Sequence, residues 1–416
     1  MATFEKDLQY VKFCAYGFLK NLRFFDAFLL LYFLESGISY SQIGLLYAAR
    51  ELTINITEIP TGIVADTYGR KSSLIAAFLC YIISFVLFYL APSLLWLMLG
   101  MVLMGISDAF RSGTHKGMIM DYLKIKGWSD QKINYYGHTR SWSHRGSAVS
   151  AIVAGVFVFY AGSYRLIYLI SILPYLLNFL NVLSYPTELN YASKKKKKKG
   201  GTIIDQIKNF FLSLRNREVL KIIHSASLHG AFLKAVKDYI QPVLVQVSLM
   251  IPILLSVEEK NKSGLVIGIV YFFIYILSAW VSSSASSFYS GGKGDKVQLT
   301  LLIGLLGGGL SGLFLQQEWW IFALLGFTLI FLVENLRKPI LTGMLADQVE
   351  PGILTSVISA QNFYKTILTS LLAIGMGVMA DRCGIGISLT LTSFAFILIT
   401  LLIGRPKRMT PTQARS

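Results

Sequence analysis

The sequence predicts an all-α membrane protein whose twelve transmembrane helices form two related six-helix bundles. Of its 416 residues, 54% are hydrophobic and only 15% are charged, whereas soluble domains carry about 25% charged residues. Apolar runs of about 20 residues, long enough to cross a bilayer, recur from one end of the chain to the other. In addition, segments of the first half reappear in the second half at nearly constant offsets.

The apolar runs define six predicted spans on each side of a lysine-rich stretch. Their predicted limits are 10–35, 41–65, 72–91, 94–122, 138–160, 164–184, 218–249, 264–289, 297–315, 319–347, 353–380 and 385–404. We therefore predict an N-terminal bundle over 1–185, a basic cytoplasmic central loop over 186–217, a C-terminal bundle over 218–404 and a cytoplasmic tail over 405–416. The N-terminus lacks the basic, apolar and small-residue pattern of a cleaved signal peptide, so we expect the first span to be retained.

The distribution of basic residues predicts the orientation. Of the 39 lysines and arginines, about 25 fall in segments on one side of the membrane, four on the other, and ten inside spans. This bias places both termini in the cytoplasm. The net charge of +17 includes the lysine run of Ser193–Gly200, which we interpret as an anchor to the anionic inner leaflet and not as a nucleic-acid site. Three scattered cysteines suit neither a disulfide framework nor a metal site, and we expect no cofactor.

The two halves of the chain are related by sequence. At an offset of 226 the fourth span matches the tenth, pairing Asp108 with Glu334, Arg111 with Arg337, Gly117 with Gly343, Met118 with Met344 and Asp121 with Asp347. At an offset of 214, FLKNLR in the first span matches FLKAVK in the seventh, which pairs Lys20 with Lys234 and Arg23 with Lys237. Repeated halves of this kind are typical of transporters that bind substrate at the midplane between them.

The loop after the second span carries the most specific motif, EIPTGIVADTYGRKSSL (Glu58–Leu74). Its glycines permit a tight turn and close backbone approach, and its basic pair suits the inner membrane face. The loop resembles the signature between helices two and three of the major facilitator superfamily, with departures at Val64 and Thr67. The matching residues are Gly62, Ala65, Asp66, Gly69, Arg70, Lys71 and Leu74.

The resemblance implies the two-bundle fold of that superfamily and transport by alternating access. It also implies that the loop is a conformational latch and not a substrate site, and we assign that role to Gly62, Asp66, Gly69, Arg70 and Lys71. The alternative is that the loop is basic only because it faces the cytoplasm.

Six of the ten basic residues inside spans form three symmetry-related pairs on spans one, four, seven and ten. In the superfamily these four helices line the central cavity, so we predict that the six bind substrate: Lys20, Arg23, Arg111, Lys234, Lys237 and Arg337. Placing a charged side chain at the bilayer centre costs about 2.5–3.5 kcal/mol of insertion free energy. Such residues therefore usually have a charged partner or a function. The alternative is a closed ion-pair network that holds or gates the two halves.

The acidic residues close to these cations predict ion pairs and proton coupling. Asp108 and Glu334 each lie three residues before an arginine, so each can pair along its own helix. Six cations still outnumber the four nearby acids, Asp26, Asp108, Asp238 and Glu334, which indicates an anionic cargo. We predict Asp26, Asp108, Glu334 and His115 as proton-coupling groups. A packing role is the alternative for His115.

These observations predict a secondary active transporter that moves a small organic anion by proton coupling or exchange. The alternatives are a proton-coupled exporter of drugs or amphiphiles and, from another class, a transporter-like membrane receptor or scaffold. No nucleotide-binding loop and no hydrolytic or redox constellation occurs, so we do not expect an enzyme. The expected partners are a small anionic substrate, the lipid bilayer and protons, for a monomer in the plasma membrane, the inner membrane of a bacterium.

Overall fold

The computed structural model describes residues 5–91, 93–191, 217–252, 257–285, 294–348 and 354–403. These residues are almost entirely helical and include no β-strand. The helices are α1 Leu8–Lys20, α2 Leu29–Glu35, α3 Tyr40–Tyr68, α4 Arg70–Leu90, α5 Leu94–Arg111, α6 Thr114–Ile125, α7 Lys132–Ala161, α8 Leu166–Leu183, α9 Glu188–Tyr191, α10 Arg217–Val236, α11 Ile240–Leu249, α12 Glu259–Ser283, α13 Gly294–Gln316, α14 Trp320–Gln348 and α15 Leu354–Ile403. Each predicted span falls on one or two of them, which confirms the predicted fold class.

Eight helical stretches among the described residues are long and apolar enough to cross a membrane. The last of them, Val357–Ile403, has 47 residues and is about 70 Å long at 1.5 Å per residue. That length suffices for two crossings, and Gly384 interrupts it with a non-helical backbone (φ 82°, ψ 161°). Only glycine adopts such a conformation readily, so Gly384 separates the two predicted final spans.

Among the described residues, three predicted spans are broken helices. In the first span α1 ends at Lys20, and the short 3-10 turn Phe24–Ala27 separates it from α2. In the fourth span α5 ends at Arg111, after which Gly113 adopts a left-handed conformation (φ 69°). In the seventh span the 3-10 turn Lys237–Tyr239 separates α10 from α11. Each break lies beside basic residues that the sequence singled out.

The chain forms two compact units that do not follow chain order strictly. Unit 1 comprises Met1–Ser36, Ala49–Lys198 and Ile251–Tyr275, and unit 2 comprises the remaining segments from Gly37–Ala48 to Ile276–Ser416. The division by chain position into 1–185 and 218–404 therefore stays a prediction. Most of the central loop over 186–217 and the whole tail over 405–416 lie outside the described residues, as does the lysine run.

The two units have different cores. The core of unit 1 is aromatic, and Phe78 and Phe85 are fully buried with Tyr175 between them at ring-centroid distances of 6.0 and 4.9 Å. In unit 2 an aliphatic cluster includes Ile222 and Leu345. Such apolar interiors hold polar side chains only where those side chains find partners.

A glycine contact joins α7 to α12 within unit 1. A Cβ atom added to Gly155 would lie 2.8 Å from the Cα atom of Gly268. That distance leaves no room for a side chain, so the two backbones touch directly. Small residues allow such close helix packing inside membranes.

The first turn of α3 is capped by a residue distant in sequence. Asp381 accepts hydrogen bonds from the backbone nitrogens of Tyr40 (2.9 Å) and Ser41 (2.8 Å), all within unit 2. Ser39 and Gln42 add a capping box, in which Gln42 Oε1 accepts from the Ser39 nitrogen at 3.0 Å. These contacts satisfy donors that a helix N-terminus otherwise leaves unpaired.

We expect Asp381→Ala to lower the free energy of unfolding by about 1 kcal/mol, since loss of an N-terminal cap costs about 0.5–2 kcal/mol. Burial alone would raise the pKa of Asp381, but the hydrogen bonds from Ser41 and Tyr40 hold that pKa below its usual value. A carboxyl group whose pKa is lower in the folded protein stabilises the fold at pH values above its pKa in the unfolded chain. That stabilisation is lost as the pH falls through its pKa in the folded protein. Denaturation at several pH values should therefore show that the variant loses the same free energy of unfolding at every pH above about 5. The loss should be smaller below about pH 4. Asp381→Asn, which keeps an acceptor, is the control and should lose less.

Candidate functional site

The six predicted cations occur as two groups, one in each unit. Lys20 lies in the last turn of α1, Arg111 is the last residue of α5, and Lys234 lies in the last turn of α10. Helix C-termini carry unpaired carbonyl groups and about half a negative charge, which favours nearby cations. At Lys20 and Arg111, where the backbone leaves the helix, the breaks therefore supply negative helix ends to these cations.

In unit 1, Asp108 is the centre of a polar cluster. Its carboxylate accepts from Arg50 Nη2 at 2.5 Å and from Arg111 Nη2 at 2.8 Å, and the Tyr81 hydroxyl donates to Oδ1. Arg111 Nε also donates to the Tyr81 oxygen at 3.2 Å. The predicted pairing of Asp108 with Arg111 along α5 is present, and two guanidinium groups share the one carboxylate.

Lys20 and Arg23 lie beside the break between α1 and α2. Arg23 Nη2 pairs with Asp26 at 3.0 Å. Lys20 has no carboxylate oxygen within 4.0 Å among the described residues, and its Nζ atom lies 5.9 Å from the centre of the Tyr16 ring. No ion pair in the described part of unit 1 therefore involves Lys20.

His115 packs against an aromatic ring. Its imidazole stacks on Tyr16 with ring centroids 3.5 Å apart and planes 5° apart. Its Nε2 atom lies 3.3 Å from the Tyr185 hydroxyl. These contacts support the packing alternative for His115.

In unit 2, Arg337 lies in an environment unlike that of Arg111. Arg337 is 1% exposed, and its guanidinium donates to the carbonyl oxygen of Val297, to Thr300 Oγ1 at 2.8 Å, and to the Ser225 carbonyl and hydroxyl oxygens at 2.9 Å each. No ion pair joins it to an acid in the described part of unit 2. The pairing expected between Arg337 and Glu334 is therefore absent there.

Glu334 binds two other side chains of unit 2. Its Oε2 atom lies 2.9 Å from Nδ1 of His229, which is fully buried, and its Oε1 atom lies 3.8 Å from Lys365 Nζ. Since a carboxylate only accepts hydrogen bonds, the imidazole donates from Nδ1. Gly230 makes room for this arrangement, because a Cβ atom there would lie 2.5 Å from Lys365 Nζ and 2.8 Å from Glu334 Oε1.

The remaining predicted cations lie at the break between α10 and α11. Lys237 Nζ pairs with Asp238 at 2.8 Å, and the Asp238 side chain is 4% exposed. Lys234 is exposed. Unit 2 thus places these two lysines at a helix break, as unit 1 does with Lys20 and Arg23.

The predicted latch loop is a turn stabilised by residues distant in sequence. Gly69 has a φ of 96° and links α3 to α4. Arg70 Nη1 pairs with Asp121 at 2.5 Å, and Lys71 Nζ donates to the Tyr185 carbonyl oxygen at 2.8 Å. Gly117 leaves space for the arginine, since its Cβ atom would lie 2.5 Å from Arg70 Cζ. The other two latch residues, Gly62 and Asp66, are exposed on α3.

The structure adds four residues to the predicted site, namely Arg50, Tyr81, His229 and Lys365. Arg50 and Lys365 are visible in the sequence as cations inside spans, but neither has a basic partner in the other half. His229 carries a similar signal as a titratable residue in the seventh span. Nothing in the sequence distinguishes Tyr81 from other aromatic residues.

Comparisons with known proteins agree with the fold. The family model described as Major Facilitator Superfamily matches residues 13–373. One curated relative, the uncharacterized MFS-type transporter YxaM of Bacillus subtilis (strain 168), is 32% identical over 90 residues, a match spanning 22% of this chain and only 23% of the relative.

Two solved structures resemble the chain over nearly its whole length. The nucleoside transporter NupG has a TM-score of 0.74 at 14% identity, with 95% of this chain and 98% of that chain covered. A bacterial homolog of the human lysosomal transporter Spinster has a TM-score of 0.69 at 14% identity, with 96% and 97% covered. At this identity the likeness shows the fold and not the cargo.

Proposed function

Because the chain belongs to the Major Facilitator Superfamily and is a membrane transporter of that kind, we propose that it moves a small organic anion by alternating access. Transport is coupled to protons or proceeds by exchange. Repeated halves in transporters enclose a midplane substrate site, where helices are often discontinuous. The breaks beside Lys20, Arg111 and Lys237 support a substrate site at these positions.

The excess of cations in unit 1 is the observation that carries this proposal. Lys20, Arg23, Arg50 and Arg111 face only two paired acids, Asp26 and Asp108. Counting the neighbouring Glu51 as well still leaves one cation more than the acids. An anion supplies the missing charge, and a guanidinium such as that of Arg111 suits bidentate binding of a carboxylate or phosphate.

Within the predicted set we assign different roles to the two halves. In this proposal Lys20, Arg23 and Arg111 of unit 1 bind the anion. A binding role for Lys234 and Lys237 of unit 2 stays a prediction from the sequence. Arg337 supports the helices of unit 2, because its guanidinium donates to neutral oxygens and is buried. This assignment departs from the symmetry of the sequence.

The latch loop gates transport in this proposal. The pairs of Arg70 with Asp121 and of Lys71 with Tyr185 hold the start of α4 within unit 1. Asp66 is exposed, so its carboxylate can form and break contacts as the conformation changes. The protein then acts as a monomer in a bacterial inner membrane with both termini in the cytoplasm.

The alternative of a drug exporter has less support. An exporter of cationic amphiphiles needs an accessible carboxylate, whereas Asp108 is held by Arg50, Arg111 and Tyr81. A cationic drug would have to displace a guanidinium from it. A receptor or scaffold has no evident need for the cations inside the bilayer, which are costly there.

A thermal-shift screen of the purified protein tests the proposal. We expect organic phosphates or carboxylates to stabilise the protein, by about 2.7 kcal/mol at 100 times the dissociation constant. The Lys20→Gln variant should lose that stabilisation while melting normally without ligand. Stabilisation by cationic dyes alone would instead support the exporter.

A further inference from the structure

Glu334 differs from the other predicted coupling acids in the chemistry of its partners. Asp26 pairs with Arg23, and Asp108 pairs with Arg50 and Arg111 and also accepts from the Tyr81 hydroxyl. A guanidinium stays charged at any physiological pH, so it cannot exchange a proton with its partner. Glu334 instead contacts an imidazole and an ammonium group, both of which can exchange protons.

Glu334 lines a cavity in unit 2. Its volume is about 250 Å³, which is large enough for several water molecules. It extends along α14 from Glu334 towards the end of that helix near residue 348. The polar residues lining it are Glu334, Lys338, Thr342, Gln361, Asn362 and Lys365.

Gly304 leaves space for the buried His229 imidazole. The His229 ring lies against Gly304 of α13, where a Cβ atom would be 2.6 Å from the ring Cδ2 atom. Its Nε2 atom is buried and has no hydrogen-bond partner among the described residues. Full burial of a polar ring with one nitrogen unpaired is costly, and such cost is typical of functional groups inside membranes.

We infer that His229, Glu334 and Lys365 form a proton-binding site in unit 2, which water reaches through the cavity along α14. A proton from that water binds Glu334 Oε1 and neutralises the carboxylate. The attraction to Lys365 on α15 is then lost, while His229 Nδ1 continues to donate to Oε2. Proton binding thereby loosens the link between α14 and α15. The inference rests on the proposed transport function, because a proton site in the bilayer serves coupling.

The charged groups around Glu334 come from three helices. His229 faces it from α10 and Lys365 faces it from α15, while Arg337 and Lys338 follow on α14 itself. The stretches 297–316 of α13 and 240–249 of α11 contain no ionisable side chain. In the described part of unit 2, His229 and Lys365 are therefore the titratable side chains that contact Glu334.

Infrared difference spectroscopy of the full-length protein in lipid tests this inference without any substrate. Titration between roughly pH 2 and 10 covers the ordinary range of carboxyl and imidazole groups and most of that of amines. We expect a protonated-carboxyl band that Glu334→Gln removes and Asp108→Asn leaves unchanged. In His229→Gln and Lys365→Gln the midpoint of that band should move by about one pH unit, since each variant removes a direct partner.

The controls separate this site from the proposed cargo. Arg111→Gln should move the midpoint by no more than a few tenths of a pH unit, because Arg111 pairs with Asp108 and not with Glu334. If Glu334→Gln fails to fold, the two partner variants still report the site. A band that persists in Glu334→Gln, or a midpoint unmoved in both partner variants, would overturn the inference. Failure of the anion screen alone would overturn only the proposed cargo.

Discussion

Replacing Arg337 with glutamine is expected to lower the free energy of unfolding by about 2–4 kcal/mol. The substitution removes donors to Thr300, to Ser225 and to the Val297 carbonyl oxygen. A hydrogen bond from a charged donor contributes about 1.5–3 kcal/mol, and a buried acceptor left unpaired adds to the loss. Relief from burying the guanidinium offsets part of this cost. Chemical denaturation of the protein in detergent measures the difference.

Arg382→Gln is the matched control for this change. Arg382 is exposed and makes no ion pair with the described residues, so its loss should cost less than about 0.5 kcal/mol. The role assigned to Arg337 would be contradicted by a variant that unfolds like the wild type but no longer binds the anion. That result would restore the substrate-binding role that the sequence symmetry predicts.

Replacing Arg111 with glutamine is expected to weaken anion binding about 10- to 100-fold, with little loss of stability. One charge-assisted hydrogen bond contributes about 1.5–3 kcal/mol, which corresponds to that range. Asp108 keeps Arg50 and Tyr81 as partners, so its charge stays compensated and unfolding should change by less than about 1 kcal/mol. The measurements are affinity for the best anion of the screen and its uptake by proteoliposomes.

Two further variants sharpen this test. Arg111→Lys keeps the positive charge but loses the planar guanidinium that can bind a carboxylate or phosphate with two parallel hydrogen bonds. Its affinity should therefore lie between those of Arg111→Gln and the wild type. Lys20→Gln should weaken anion binding. Because Lys20 makes no ion pair with the described residues, the substitution breaks none of them. Full uptake by Arg111→Gln would rule out a direct contact between this arginine and the cargo, and the cations of unit 1 would then form a gating network.

The sequence identified the class of molecule and much of its architecture. Apolar runs predicted twelve spans, and helices occupy every one of them. The loop motif from Glu58 to Leu74 resembled the family that the comparisons then showed. These features are local or repeated along the chain, so periodicity and spacing suffice to predict them.

Helix breaks were less accessible to sequence reasoning. The spans were predicted as continuous, but α1, α5 and α10 each end beside basic residues. Gly113 was the available signal for the break in the fourth span, because glycine tolerates a left-handed conformation. The turns Phe24–Ala27 and Lys237–Tyr239 contain no glycine or proline, and a single sequence gives little warning of such turns.

The sequence by itself therefore determined which charges fall within the predicted spans, whereas the tertiary structure decided which groups they meet. Spacing along one helix correctly paired Asp108 with Arg111. Arg50 lies 58 residues from Asp108, and His229 lies 105 residues from Glu334. Such contacts depend on which helix faces pack together. Two halves with similar sequences therefore hold their charges differently: guanidinium groups surround the acid in unit 1, and groups that can exchange protons surround it in unit 2.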